Sequence, residues 1–426
     1  METHRALVFH ITRRDASLDW VLSEFRLIVN ESIRIALREN IRSRARLAQA
    51  AYQMLSHAHN IYKQYIPSAF EVALAVLKTH RRRLKKGKRS SVPYMRKPIL
   101  KAENQSYRLD RDTGCLRIPI RGMERVQIVL PLSGWHRSFL SDPTWNLGSL
   151  TVVPDKIILV VRREAPTEYK SEGAVALDTN EDSMDGVIAS DEAMVPTILL
   201  FAGVRRIQKT HFRRRRVLAT KKARDRRVMR RLLYREGLRE RNRVRQRLHR
   251  ASKRLVAFAA GRRATIILED LKLHGAGGRS RRMNRRLASW PRREIHRQIE
   301  YKAALEGVPV IKVNPAWTSK TCPVCGARRR DRVGKVFVCL MCDWEMDRQI
   351  NAGMNILKTA LASNEALARA VRFQPGALRH DVVSPLYDLL REGGGAREEP
   401  SGVESRPGTN PDVTEPRLDT QLVHLL

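Results

Sequence analysis

Apolar residues in the first part of the chain follow two different periods. The opening "RALVFHITR" is a short extended stretch. From about Ala16 the period becomes helical: "WVLSEFRLIVNESIRIALREN" sets Val21, Phe25, Val29, Ile33 and Leu37 four residues apart, and Ile28 and Ala36 widen the stripe. The same period predicts a second helix over roughly 47–62 and a third over roughly 68–82, with Ala73, Val76 and Leu77 on one face. The basic loop "RRRLKKGKRSSVPYMRK" follows. From about 105 to 165 the chain alternates through "GCLRIPI", "RVQIVLPL", "GSLTVV" and "KIILVVRRE". These are short strands parted by Gly, Pro and Asp turns, the pattern of a small antiparallel barrel or sandwich. A β start, a helical insert and a β return predict one barrel interrupted by a helical domain.

Beyond Gly173 the pattern changes. "GAVALDTN" is an apolar strand ending in an acid, followed by "GVIAS" and "PTILLFAG". Residues 205–263 read as helical, with roughly two dozen Lys and Arg against Asp225, Glu236 and Glu240. Val228, Leu232, Leu248 and Leu255 offer one buried stripe, and Gly237 predicts a turn between two helices. "ATIILEDL" is a second buried strand ending in acid. "SWPRREIHRQIEYKAALEG" is a helix with Ser289 as its expected N-cap, Pro291 in its first turn and Gly307 as C-cap. "VPVIKVN" is another strand, and strands alternating with helices predict an α/β sheet. After about Ser363 the chain, with "REGGGAREEPSGVESRPGTNPDVTEPRLD", reads as a disordered tail.

Charge narrows the partners. Lys+Arg 82 against Asp+Glu 44 gives +38, enough to bind a polyanion by counterion release. Nucleic acid is the default partner, although ribosomal and membrane-surface proteins can also be this basic. No 18-residue apolar run exists, and the start lacks the apolar core of a signal peptide, so the reading is a cytoplasmic, nucleoid-associated protein with no membrane partner. Cys115 reads as a half-buried strand residue. Cys322, Cys325, Cys339 and Cys342 form two CxxC pairs, the spacing of a closed, structural zinc site; the alternative is four buried cysteines. Pro323 and Gly326 shape the first pair as a turn.

Asp178 and Glu269 end two of the apolar strands, and Asp347 opens a helix whose stripe is Ile350, Met354, Leu357 and Leu361. Carboxylates delivered from strand ends and a helix start suit Mg²⁺, which takes oxygen ligands. Taken singly, an Asp after a strand is more often a solvated turn residue. Asp182, Asp185 and Asp270 lie close enough to be mistaken for ligands.

"LEDL", "SWPRREIHRQIEYKA", "NPAWTSKTCPVCG" and "DRQINAGMNIL" resemble the TnpB (OrfB) family of transposon-encoded proteins, related to compact type V CRISPR nucleases. The resemblance spans roughly residues 1–360. It implies a multidomain α+β and α/β protein: a wedge-like β-barrel domain (1–15 and 101–170) and a helical recognition domain (16–100). A RuvC-like, RNase H-type nuclease domain (171–317 and 345–362) would then carry a zinc-ribbon insert (318–344), ahead of a disordered tail (363–426). It implies Asp178, Glu269 and Asp347 as catalytic ligands of two Mg²⁺ ions, the four cysteines as Zn²⁺ ligands, and guide RNA and double-stranded target DNA as partners. The implied activity is RNA-guided cleavage of DNA beside a short flanking motif, with a silent guide-directed binder or transposase accessory factor as alternatives.

The chain departs from the family pattern at Gln349, where DRDxNA has a second acid, at Asp343, where a glycine is common, and in "LDTNEDSMDGV". The basic segments at 81–97 and 205–263 are expected to line a nucleic-acid channel. Trp317 and Trp344 either stack on bases or pack under the zinc module. No pairing makes His211, His249 or His296 a general base.

Overall fold

The computed structural model describes residues 2–11, 15–221, 225–271, 280–328, 334–377 and 384–386. These fall into two compact units, parted in the chain between Glu164 and Ala165.

The first unit runs β1 (Glu2–His10), α1 (Ala16–Arg38), α2 (Arg44–Ala58), α3 (Tyr65–Lys85), β2 (Leu100–Ala102), β3 (Arg108–Leu109), β4 (Cys115–Arg121), β5 (Glu124–Val129), α4 (Gly134–Leu140), β6 (Asn146–Val153) and β7 (Lys156–Glu164). The predicted stripe of α1 is its buried face: Val21, Phe25, Ile28, Val29, Ile33 and Ala36 are all shielded from solvent, and Leu37 is half-buried. Asp15 caps the helix, its side chain accepting from the backbone N–H groups of Ser17 and Leu18. Asn30, buried in the same helix, donates to Met95 O at 3.0 Å and accepts from Met95 N at 2.8 Å. That pair ties down the end of the basic loop. Cys115 is half-buried at the start of β4, as expected.

The β-barrel is corrected. Two separate antiparallel sheets form, one of order β1-β7-β6-β2 and one of order β3-β4-β5, and no closed barrel is found among the described residues. Strands β2 and β3, which would have to join them, span only three and two residues. The α1–α3 insertion between β1 and β2 is as anticipated.

The second unit runs β8 (Gly173–Thr179), β9 (Ser183–Ala189), β10 (Met194–Leu200), α5 (Val204–Lys221), α6 (Arg226–Gly261), β11 (Ala264–Glu269), α7 (Arg281–Ser289), α8 (Arg292–Glu306), β12 (Val310–Val313), β13 (Val336–Val338), β14 (Glu345–Asp347), α9 (Arg348–Ser363), α10 (Glu365–Ala370) and β15 (Ser384–Pro385). Its main sheet has the order β12-β11-β8-β9-β10-β15. Strands β8, β9 and β10 are an antiparallel meander, whereas β11 and β12 run parallel to β8.

Strand side chains alternate between faces. Val175, Leu177, Ile266 and Leu268 pack with Leu248 and Leu255 of α6 and Ile295 and Ile299 of α8. Ala174, Ala176, Val187 and Ile267 pack with Ile350, Met354 and Leu357 of α9 on the other face. The second face is lined by small residues, and α9 uses that space. A Cβ on Gly353 would stand 2.4 Å from the Gly186 Cα.

Four further expectations are corrected. Gly237 does not break the basic segment: α6 is one helix of 36 residues. A single helical glycine costs only about 1 kcal/mol, and neighbouring Glu236 is buried against His211 of α5. The α6 stripe is buried at Leu248 and Leu255 but only half-buried at Val228 and Leu232. Ser289 is the last residue of α7, its hydroxyl donating to Arg286 O, and Pro291 is the N-cap of α8. Gly307 does end that helix, at φ +67. The chain also stays ordered past Ser363. Helix α10 follows at once, and Leu367 and Val371 are buried in the α9-side core. Residues 378–383 and 387–426 of the expected tail lie outside the described residues.

Candidate active site

The strand alternation that builds the α9-side core also aims three acids. Asp178 continues the Ala174, Ala176 row of β8, Asp185 the Ala189, Val187 row of β9, and Glu269 the Ile267 row of β11. All three therefore face α9 at the edge of its contact with the sheet. Asp347 is at once the last residue of β14 and the N-cap of α9, its Oδ1 accepting from Gln349 N at 2.7 Å. The helix thus delivers Asp347 to the face already occupied by the strand acids.

These groups act on one another. Asp178 and Glu269 end the neighbouring, hydrogen-bonded strands β8 and β11, close enough for each charge to oppose the other. Burial first, and then the Glu269 charge, raises the Asp178 carboxyl far above the usual carboxylate range, while Arg348 pulls it the other way. Asp185 is pushed up to about 6, chiefly by burial, with the charges of Asp178 and Asp347 adding to it. Its Oδ2 accepts from Asn180 Nδ2 at 2.6 Å and Ser183 Oγ at 2.9 Å. Its Oδ1 is buried without a partner. Crowded acids and one orphaned buried oxygen are what a donor set for a hard cation presents when no cation is bound. Thr318 fixes Glu269, its hydroxyl donating to Oε1 at 2.7 Å.

Thr318 begins the cysteine module, and α9 staples that module to the sheet. Asn355 Nδ2 donates to Thr318 O (2.8 Å), Thr321 O (2.7 Å) and Asn351 O (3.1 Å). Asn351 Nδ2 also donates to Thr321 O, and Lys358 Nζ to Pro323 O. The asparagines of "INAGMN" therefore link the acids to the cysteines. The four Sγ atoms lie within 4.8 Å of one another, with Cys322–Cys342 at 3.6 Å and Cys325–Cys339 at 3.5 Å. A tetrahedral ion with Zn–S bonds of about 2.3 Å needs S···S separations of about 3.8 Å, so the cluster can hold one zinc ion. Asp343, where glycine is common, adopts φ +53. The two tryptophans differ: Trp344 packs against Cys322, Phe337 and Cys339, whereas Trp317 is 47% exposed with Lys320 and Arg328 over its ring.

The histidines have partners that the sequence did not disclose. His211 Nδ1 and Glu236 Oε1 are 2.8 Å apart, both buried. His296 Nε2 lies 2.8 Å from Thr179 Oγ1 beneath the sheet, and burial lowers its pKa to about 4. His249 lies beside Tyr301. A cavity of about 560 Å³ is lined by Glu181 and Asp182 of the β8–β9 turn, Glu240 of α6, and a larger set of cations that includes Arg205, Arg206 and Arg285.

Among known families, the Cas12f1-like TNB domain matches residues 293–356, from α8 through the cysteines into α9. The Uncharacterized protein MJ0013 family matches residues 21–118. TnpB-like protein MJ0751 of Methanocaldococcus jannaschii is 26% identical over 241 residues, 55% of this chain and 86% of the relative. The chain is similar to TnpB-like proteins over much of its length. Its relation to compact type V effectors is visible in both sequence and fold. The Cas12f1 endodeoxyribonuclease of Sulfoacidibacillus thermotolerans is 34% identical over 112 residues, a quarter of each chain. The fold is similar to that in the Cas12f1–sgRNA–target DNA complex, at TM-score 0.54 and 14% identity over 80% of this chain and 81% of the other. It is also similar to the mini-RNA-guided endonuclease CRISPR-Cas_phi3, at TM-score 0.53 and 11% identity over 84% and 92% of the two chains. No described helix is long and apolar enough to cross a membrane.

Sequence reasoning set Asp185 aside as a decoy and missed Asn180, Thr318, Asn351 and Asn355. The signal for Asp185 was a count across the short β8–β9 turn, which pairs it directly with Asp178. The Asn355 contacts to Thr318 and Thr321 cross between elements more than thirty residues apart, and no local pattern announces them.

Proposed function

We propose that this chain is an RNA-guided DNA endonuclease carried by a mobile element, cleaving double-stranded DNA beside a short flanking motif. The observation that carries the reading is the meeting of Asp178, Glu269 and Asp347, from two strand ends and a helix N-cap, on one face of a mixed sheet. The second unit is then a RuvC-like nuclease domain and the cysteine module its zinc-bearing insert. These three carboxylates would hold Mg²⁺, which supplies an activated water and stabilises the leaving oxygen of a phosphodiester. Thr318 and the α9 N-terminus hold Glu269 and Asp347 in place, and Arg348 offsets the negative charge beside Asp178.

Relatives named as endodeoxyribonucleases and folds solved with sgRNA and target DNA support the choice of nucleic-acid partners. So does the positive charge of α5 and α6, suited to gripping a guide–target duplex by its backbone. Trp317, exposed between two cations, is suited to stacking on an unpaired base.

The test is co-expression with the DNA flanking the gene, sequencing of the RNA that co-purifies, and challenge of guide-matched plasmids with randomised flanks in Mg²⁺. The reading expects cleavage at matched sites with one preferred flank. RNA-dependent binding without cleavage would instead establish the silent guide-directed binder.

A further inference from the structure

Asp185 is an expensive residue to bury. It is only 2% exposed, in a strand whose next inward residue is Val187. One oxygen is well served, Oδ2 accepting from both Asn180 and Ser183. The other, Oδ1, is shut away from solvent and receives nothing. An acid kept only to secure the β8–β9 turn has no use for that second oxygen, and leaving it unsatisfied costs its full desolvation. Its placement gives it a use. Asp185 is the direct cross-strand partner of Asp178, so the two side chains rise from the same face with Cβ atoms about 5 Å apart. Glu269 and the N-cap Asp347 approach that face as well. Ligating carboxylates are commonly held by hydrogen bonds on the oxygen that does not bind the metal, which is the pattern here.

We propose that Asp185 is a fourth ligand of the carboxylate centre, presenting Oδ1 to a hard divalent cation while Asn180 and Ser183 lock Oδ2. The inference rests on the nuclease reading and deepens it. The centre then carries four acids, and the "TNEDSMD" turn, where the chain departs from the family pattern, becomes part of the cation site. Asn180 and Ser183 are positioning residues, since they reach the ion only through Asp185.

The test is a Mn²⁺ titration of the full-length, zinc-loaded protein without nucleic acid, with free Mn²⁺ read by electron paramagnetic resonance. Wild type, Asp178→Ala, Asp185→Asn and Asn180→Ala are compared, with zinc content and melting temperature as folding controls. Wild type is expected to bind and Asp178→Ala to lose that binding. Asp185→Asn should weaken it more than about tenfold, and Asn180→Ala, which keeps the charge but frees Oδ2, by about tenfold. Binding by Asp185→Asn at the wild-type affinity and stoichiometry overturns the proposal and leaves the nuclease reading standing. No Mn²⁺ binding by wild type overturns both. Should Asp185→Asn fail to fold, Asn180→Ala decides: unchanged affinity overturns the proposal, and the tenfold loss supports it.

Discussion

Replacing Gly353 by alanine sets two known effects against each other. In an isolated helix the change favours the alanine by about 1 kcal/mol. In α9 the added Cβ would lie 2.4 Å from the Gly186 Cα and 3.2 Å from the Ala176 carbonyl oxygen. Carbon atoms rest about 3.5–4.0 Å apart, so the helix must retreat from the sheet by about 1 Å. Both neighbours are backbone atoms, and no rotamer change relieves the contact. Overpacking of this kind costs about 1–3 kcal/mol, sometimes more, and here the higher end applies. The net expectation is a loss of roughly 2 kcal/mol, read as a lower urea midpoint for the zinc-loaded protein. Because α9 carries Asp347 at its N-cap, Mn²⁺ affinity should fall in the same variant. Gly237→Ala is the control, since nothing lies within 4 Å of its added Cβ, and it should stabilise α6 by up to about 1 kcal/mol. If Gly353→Ala matches that control, the close approach of α9 to the sheet is wrong.

Other perturbations probe the surroundings of the site. Asn355→Ala strips a donor from three carbonyls; it should cost about 1–3 kcal/mol and speed zinc release to a chromophoric chelator, and an unchanged release rate would sever the proposed link between α9 and the cysteines. Asp343→Gly relieves a left-handed backbone at φ +53, and should raise stability by about 0.5–1 kcal/mol with slower zinc loss. A loss of stability there would mean that the Asp343 side chain makes a contact worth more than the strain. Burial holds His296 neutral, with its pKa lowered from 6.5 to about 4. The unfolded chain therefore takes up that proton first, so the stability contribution is present above pH 6.5 and is lost as pH falls toward 4. That is roughly 3 kcal/mol for this residue. Urea midpoints between pH 7 and 4.5 should fall more steeply for wild type than for His296→Gln, and parallel slopes would contradict the assignment.

Much of this was legible because local pattern and tertiary role coincide. The α1 stripe is a packing face, the acids of β8 and β11 end apolar strands, and the CxxC spacings specify a cluster whatever surrounds them. The misreadings have a common physical origin. Gly237 and Ser289 carry turn and cap signals that tertiary packing overrode. The barrel was inferred from alternation, which fixes faces but not which edges meet. The early start assigned to the tail came from the composition after residue 390, while Leu367 and Val371, apolar and correctly spaced for the α9 core, lay upstream of it. Asp185 was lost for a different reason. Among several acids near one turn, only cross-strand register separates a solvated residue from a buried one.

The measurement closest to the central claim compares wild type with Asp178→Ala, each purified with its bound RNA, on one guide-matched duplex in Mg²⁺, scoring binding by gel shift and cleavage on denaturing gels. The account predicts equal binding and cleavage by wild type only. Cleavage by Asp178→Ala at the wild-type rate would contradict it and place the chemistry away from these carboxylates.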